Sequence, residues 1–313
     1  MLFHHEHTDH EDDTVTPERK AAATALSTWV SAAVNVLLSI TQVLVGWFAH
    51  SQGLIADGVH SLSDLIADFV VLFASHHAQK GADEEHPYGH QRFETAASLA
   101  LGVLLLGVGL GMVINALHKL QDPGSIAQVH TLALGVVALA LVAKEALFRY
   151  MLAIARRVKS NLLVANAWHA RSDAASSLVV GLGIVGNLCG YPLLDPLAAL
   201  IVGGMVAHMG WKFGWEAMND LMDRGADNDE VQAIRQTLLE TEGVEGVHDI
   251  RTRKMGDMLV VDAHIEVNAT HSVETGHNIA VEARNRVLQR HRVLNLLTHV
   301  DPWHPRDGNP AGA

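Results

Sequence analysis

The 313-residue chain is 49% apolar and only 18% charged, with a formal charge of −12 and a mean hydropathy of +0.17. The acidic balance argues against nucleic acid as a partner and suits a protein that handles cations. The single Cys189 cannot close an intramolecular disulfide, so nothing points to an oxidising compartment.

The leader MLFHHEHTDHEDD is acidic and His-rich, the opposite of the basic start of a secretory signal. Either it binds metal weakly or it is a solvated, disordered tail. It is no H-E-x-x-H signature, because Asp9 stands where the second His is needed. Six runs near the roughly 20 residues needed to cross a bilayer follow. They are Ala25–Ala49, Gly53–Phe73, Thr95–Leu117, Ile126–Tyr150, Leu162–Leu188 and Pro196–Trp215. Gly107 and Gly111 in the third form a GxxxG pair, a candidate helix-contact face. Turns at HSQG and QDPGS join the first and second pairs of runs, and Gly190 and Pro192 stop the fifth. With the N-terminus inside, the inner connections carry Arg19, Lys20, Lys80, Arg92, Arg149, Arg156, Arg157 and Lys159, against Lys119 alone outside. That asymmetry predicts cytoplasmic N- and C-termini.

Beyond about Asp220 the chain reads as soluble. The pattern predicts a helix over 229–242, a strand pair in VEGVHDIRTRKMG and MLVVDAHIEVN turning at Gly256-Asp257, and a helix from Val273 to His291 capped by Ser272. A last strand covers VLNLLTHVDP. The order αββαβ suits a small sheet with helices on one side. The predicted organisation is a His/acid-rich tail at 1–20, a transmembrane domain of six helices at 21–217, an α+β cytoplasmic domain at 218–304 and a short tail at 305–313.

The second run carries Asp57, His60, Asp64 and Asp68, although an Asp at the centre of a membrane helix costs roughly 2.5–3.5 kcal/mol. HSLSD (His60 to Asp64) recurs as HARSD (His169 to Asp173) in the fifth run. Each places an imidazole and a carboxylate one turn apart on one helical face. Side by side, the two helices supply two nitrogens and two oxygens, a tetrahedral set for which Zn²⁺ is the natural divalent metal. Fe²⁺, Co²⁺, Ni²⁺ and Cd²⁺ remain open, and thiolate-based copper(I) binding is excluded. An interhelical hydrogen bond explains one such pair; two matching pairs favour a site. Asp57 and Asp68 then flank the site, and Asn166 faces a pore. In the loop, Asp83, His86 and His90 have spacings that let three ligands converge, unless DEEHPYGH is merely a solvated acidic loop. In the tail, His248 and His264 fall on neighbouring strands, and His299 and Asp301 share a strand face. A cluster and scattered surface histidines both fit that pattern.

These residues resemble the cation diffusion facilitator family, in its bacterial zinc/iron-type branch, over nearly the whole chain after the leader. ADGVHSLSDLIAD, DEEHPYGHQRFE, ANAWHARSD, LMDRG, GVHDIRTRKMG and LTHVDP carry the resemblance. It implies a transporter, not an enzyme: a homodimeric six-helix metal/proton antiporter of the bacterial inner membrane, with a ferredoxin-like cytoplasmic domain. By position, His60, Asp64, His169 and Asp173 match the transport site, and Asp83, His86 and His90 match a loop site. His248, His264, His277, His299 and Asp301 match a binuclear cytoplasmic site bridged by the Asp. Arg92 and Asp223 fall where the family has an ion pair linking helix three to the tail. Two carboxylates balance a divalent ion, so protons are expected to replace the metal when it leaves. Helices two and five would then move to expose the site to each side in turn. The alternative is a membrane-anchored metal sensor without transport, which has no need of paired His and Asp inside the bilayer.

Overall fold

The computed structural model describes residues 17–78, 80–157, 161–256 and 258–304. The His-rich leader, Lys159, Asp257 and the tail from 305 lie outside the described residues, as do the side chains of Asp68, Asn166 and His169, whose backbone is helical. The elements are α1 (Pro17–Phe48), α2 (Gln52–Ala78), α3 (Arg92–Gln121), α4 (Leu132–Arg157), α5 (Asn161–Leu188), α6 (Leu194–Leu221), α7 (Asn228–Leu239), β1 (Gly246–Met255), β2 (Met258–Asn268), α8 (Val273–Arg290) and β3 (Val293–Trp303). Among the described residues, three segments are long and apolar enough to cross a membrane: Trp29–Phe48, Arg92–Gln121 and Leu194–Leu221.

Several boundaries differ from the sequence expectation for identifiable reasons. Helix α1 is already formed at Pro17, the first described residue, inside the expected N-terminal tail. Residues 126–131, expected to be helical, precede α4 instead. There the Val129 N–H donates to Asn187 Oδ1 at 2.9 Å and the His130 N–H to the Ala49 carbonyl at 3.0 Å, so these amides are satisfied without a helix. Helix α7 stops at Leu239, and α6 runs on to Leu221.

The chain forms two compact units, one of residues through Ile66 with Gly107–His208, the other of Ala67–Leu106 with Met209 onward. The first unit has a core of small and branched side chains: Leu54 and Ala56 of α2, Val137 of α4, Val180 and Ile184 of α5, and Ala199 and Val202 of α6. Asp195 of α6 holds the start of α2, its carboxylate accepting from Ser51 Oγ (2.6 Å), Gln52 N (2.7 Å) and Gly53 N (3.3 Å). These orphan amides of a helix N-terminus are thereby satisfied by a neighbouring helix, which sets the height of α2.

In the second unit the tail sheet has order β1-β2-β3, with β1 antiparallel and β3 parallel to β2. Leu259, Val261, Ala263 and Ile265 of β2 face a core shared with Ile234 and Leu238 of α7 and Ala280, Ala283 and Val287 of α8. Both helices therefore cover one face of the sheet, as the αββαβ order predicts. The strands turn at Gly256, whose φ of +62° is open to glycine at no steric cost. Ser272 caps α8, its Oγ accepting from Thr275 N at 3.2 Å. Strand β1 carries a bulge that the sequence did not announce. Asp249 has φ +47°, and the register moves from His248↔His264 to Arg251↔Asp262.

Among the described residues of this chain, nothing lies within 4 Å of a Cβ built on Gly107 or Gly111, so the GxxxG pair is not what brings α3 close to α6. The close approach of α3 to α6 uses other glycines: a Cβ at Gly109 would strike the backbone of Ala207, and one at Gly210 the backbone of Leu106. Gly109→Ala and Gly210→Ala should therefore destabilise the protein by about 1–3 kcal/mol through overpacking. Gly107→Ala should be neutral or stabilising by up to about 1 kcal/mol through helix propensity. Thermal unfolding in detergent reads the difference, and equal midpoints for Gly107→Ala and Gly109→Ala would refute it.

Candidate metal centres

Helical periodicity puts His60 and Asp64 one above the other on α2, with Nδ1 and Oδ2 at 3.6 Å. Asp173 of α5 joins them, so that one ligand atom from each of the three lies within 4.8 Å of the others. His60 is buried, and the two carboxylates are half-buried. His169 stands one turn before Asp173 on the same helix, the spacing that also separates His60 from Asp64.

Asp57, expected to flank this group as a residue that supports the ligands or lines a water cavity, is fully buried and densely bonded. It accepts from Ser176 Oγ (2.9 Å), Ser177 Oγ (2.6 Å) and Gln42 Nε2 (2.5 Å). Lys144 of α4, which the sequence reading passed over inside its fourth apolar run, approaches Asp57 Oδ1 at 3.7 Å and is 2% exposed. Its ammonium donates to Ser177 Oγ (2.8 Å), Ser61 Oγ (3.2 Å) and the Asp173 carbonyl (3.2 Å). All three ammonium protons are thus used. A lysine within a membrane-length apolar run is costly and on that ground a functional candidate, which is the signal that would have found it.

The loop between α2 and α3 brings Asp83, His86 and His90 together. A turn through Gly89 (φ +85°) folds it back. Asp83 Oδ1 accepts from the His86 backbone N–H at 2.7 Å, and His90 Nε2 lies 3.4 Å from Asp83 Oδ2. His90 Nδ1 faces the Gly81 carbonyl at 3.1 Å and must donate to it, which leaves Nε2 as the atom turned toward Asp83. An imidazole nitrogen facing a carboxylate is a donor pair between which a cation can sit. The His86 amide bond is the main reason the Asp83 carboxyl is lowered to about 2, assisted by Lys80 and His90 and opposed by desolvation.

In the tail, strand register lines up His248, His264 and His299 across all three strands, with Glu266 and Asp301 in the next row of the same face. This face is opposite the one the helices cover. Asp301 is the hub. Its Oδ2 lies 2.9 Å from His264 Nδ1 and 3.5 Å from His248 Nε2, and its Oδ1 lies 3.3 Å from His299 Nε2. The His264 hydrogen bond and then the charges of His299, His264 and His248 hold the Asp301 carboxyl below its ordinary range, against desolvation. Glu266, unremarked in the sequence, approaches His248 Nδ1 at 3.5 Å. Strand alternation would have found it, because it sits two residues beyond His264. None of the described contacts brings His277 to this row. It is exposed on α8, the helix whose Gly276, Ala280 and Ala283 pack on the other side of the sheet.

Arg92, the first residue of α3, donates from Nη2 to Asp223 Oδ1 just beyond α6, where Asp223 adopts a left-handed φ of +61°. The pair expected from the sequence is therefore made within the second unit.

The model of the cation efflux transmembrane domain matches residues 28–222, and that of the cation efflux protein cytoplasmic domain matches residues 226–303. Metal tolerance protein 2 of Oryza sativa subsp. japonica is 34% identical over 303 residues, covering 88% of this chain and 78% of that protein. Metal tolerance protein C1 of Arabidopsis thaliana is 36% identical over 283 residues, with 86% of this chain aligned to 60% of the longer relative. Manganese efflux system protein MneS of Bacillus subtilis is 32% identical over 277 residues, covering 87% of this chain and 93% of its own length.

The Asp83 carboxylate and its bond to the His86 amide should persist as pH falls below the unfolded-chain value near 3.9, and be lost only as pH falls through about 2. A depressed folded value stabilises the loop above the unfolded value and loses that contribution on acidification. The ¹³C shift of the labelled Asp83 side-chain carboxyl reports it, and titration near the ordinary value of about 3.9 would refute the assignment.

Proposed function

The chain belongs to the cation efflux family, and from that premise we propose that it is a divalent-metal exporter, zinc foremost, exchanging cytoplasmic metal for protons. The observation that carries this reading is the convergence of His60, Asp64 and Asp173 inside two long helices. With His169, they would complete a four-coordinate set of two imidazoles and two carboxylates. The donors are nitrogen and oxygen throughout. Paired imidazoles favour a borderline ion such as Zn²⁺ over the harder Mn²⁺ named for one relative, which carboxylate and water suit better.

Exchange follows from electrostatics. Two carboxylates in a poorly polarisable surround are neutralised by one divalent ion, and when it leaves, protons are the cations at hand to replace it. Metal and protons then exclude one another at the same atoms. Helices α2, α4 and α5 are 27, 26 and 28 residues long, sufficient with the three apolar segments for six spans. The Lys and Arg distribution favours cytoplasmic termini, which would put the loop cluster and the tail row in contact with cytosolic metal. We read the tail as the dimerisation and metal-sensing part of a homodimer in a bacterial inner membrane. His248, His264, His299 and Asp301 would be its ligands, and the Arg92–Asp223 pair its mechanical link to α3.

Zn²⁺ uptake into proteoliposomes under an imposed pH gradient tests the transport site. Asp64→Ala and Asp173→Ala should abolish uptake, and normal flux in both would reject the site. Metal binding without flux in the unaltered protein would return the chain to the sensor class. Separately, His264→Ala or Asp301→Ala should lower the number of Zn²⁺ ions bound per chain while gradient-driven uptake persists at high metal. An unchanged stoichiometry in both variants counts against the tail site.

A further inference from the structure

The polar group beneath the candidate transport site is built from residues that are not ligands. Asp57 and Ser61 come from α2, Lys144 from α4, Ser176 and Ser177 from α5, and Gln42 from α1. Where Lys144 sends its protons is the informative feature. One goes to Ser61, the residue after His60; one goes to the main-chain carbonyl of Asp173 itself; the third goes to Ser177, one turn farther along α5. Each helix that carries ligands is therefore gripped beside a ligand, from a third helix that carries none. A generic interhelical ion pair would need only the contact with Asp57.

The charge count agrees. Asp57, Asp64 and Asp173 as carboxylates, with the Lys144 ammonium and one divalent ion, sum to zero. Asp57 and Lys144 offset one another, so the two together leave the balance between ligands and metal unaltered. Buried charges persist only when paired and fully hydrogen-bonded, and both conditions are met here.

We propose that Lys144 is a positioning residue of the ion site. Anchored by Asp57, its ammonium ties the Asp173 turn of α5 to the His60 turn of α2, and so sets the distance across which the metal ligands face each other. This rests on the reading of His60, Asp64, His169 and Asp173 as the transport site. It predicts that losing the tie weakens the ion's hold even when the fold is intact, as residues that orient metal ligands generally do, by roughly 10–100-fold in affinity.

The decisive variant is the double substitution Asp57→Asn with Lys144→Met, which removes both charges together. It keeps the net charge and spares the protein an unpaired buried ion, the main hazard of Lys144→Met alone. Zn²⁺ uptake into proteoliposomes gives KM and kcat, thermal unfolding in detergent gives stability, and Asp64→Ala is measured in parallel. The double variant should unfold near the unaltered protein and yet show a KM raised by about tenfold or more, with a smaller change in kcat. The single Lys144→Met should be less stable than the double variant and no better in KM. A double variant whose KM stays within about twofold, with Asp64→Ala inactive, overturns the role of Lys144 and leaves the transport site standing. Full uptake by Asp64→Ala would instead sink the site reading on which the proposal rests.

Discussion

A charge placed inside an apolar helix must find its counter-charge within the protein, because hydrocarbon offers none. In this chain that constraint draws four helices to one place. Asp57 takes donors from α1 and α5, and Lys144 reaches from α4 to both α2 and α5. The surrounding contacts are small and branched, with Ala56, Val137, Val180 and Ala199 fully or nearly buried. Such side chains let helices approach closely enough for hydroxyls and carboxylates to meet, so apolar packing and the polar group depend on each other. The Asp195 cap on α2 acts in the same sense, holding the helix that bears His60 and Asp64 at a fixed height against α6.

The tail solves a different problem with a different period. Strand β2 sends Leu259, Val261, Ala263 and Ile265 into the core, while Asp262, His264 and Glu266 face the other way. A one-residue slip would bury the histidine and expose the core, so the hydrophobic pattern that folds the sheet also fixes where ligands appear. The bulge at Asp249 and Ile250 supplies the remaining adjustment. It lets Arg251 pair with Asp262 while His248 stays opposite His264, and the three-histidine row depends on that one extra residue.

What was legible in the sequence was what a fixed period determines. H-x-x-S-D twice over places both pairs on helix faces whatever else the chain does, and αββαβ with alternation gives the tail sheet and its outward-facing histidines and carboxylates. What stayed hidden depended on distant partners. Lys144 meets Ser61 and Ser177 from 83 and 33 residues away, and nothing local marks it except its presence in an apolar run. Gly107 and Gly111 carried the familiar spacing, yet α3 turns Gly109 toward α6, because which helix face is inward is settled by tertiary packing. His277 was grouped with the other tail histidines only through resemblance to a family, and within one chain it stands exposed on α8, whose packed residues cover the other face of the sheet. Residues 126–131 looked helical by composition, but Asn187 and the Ala49 carbonyl offered their amides other partners.

The proposed sites differ in one respect that bears on their roles. Asp83 and Asp301 lie outside the spans, and both carboxyls are held below their ordinary range by donors already in place. They are ionised before any metal arrives, so binding there releases no proton from them, and water can screen whatever charge remains. Such sites can follow cytosolic metal concentration without drawing on the proton gradient. His60 is buried and Asp64 and Asp173 are half-buried, so water screens less of the charge that a departing divalent ion would leave behind. On the proposed reading, departure from that site would be matched by arrival of other cations at the same atoms. If the four ligands act as proposed, proton coupling is a consequence of burial, and a metal-responsive tail can regulate the exchange without taking part in it.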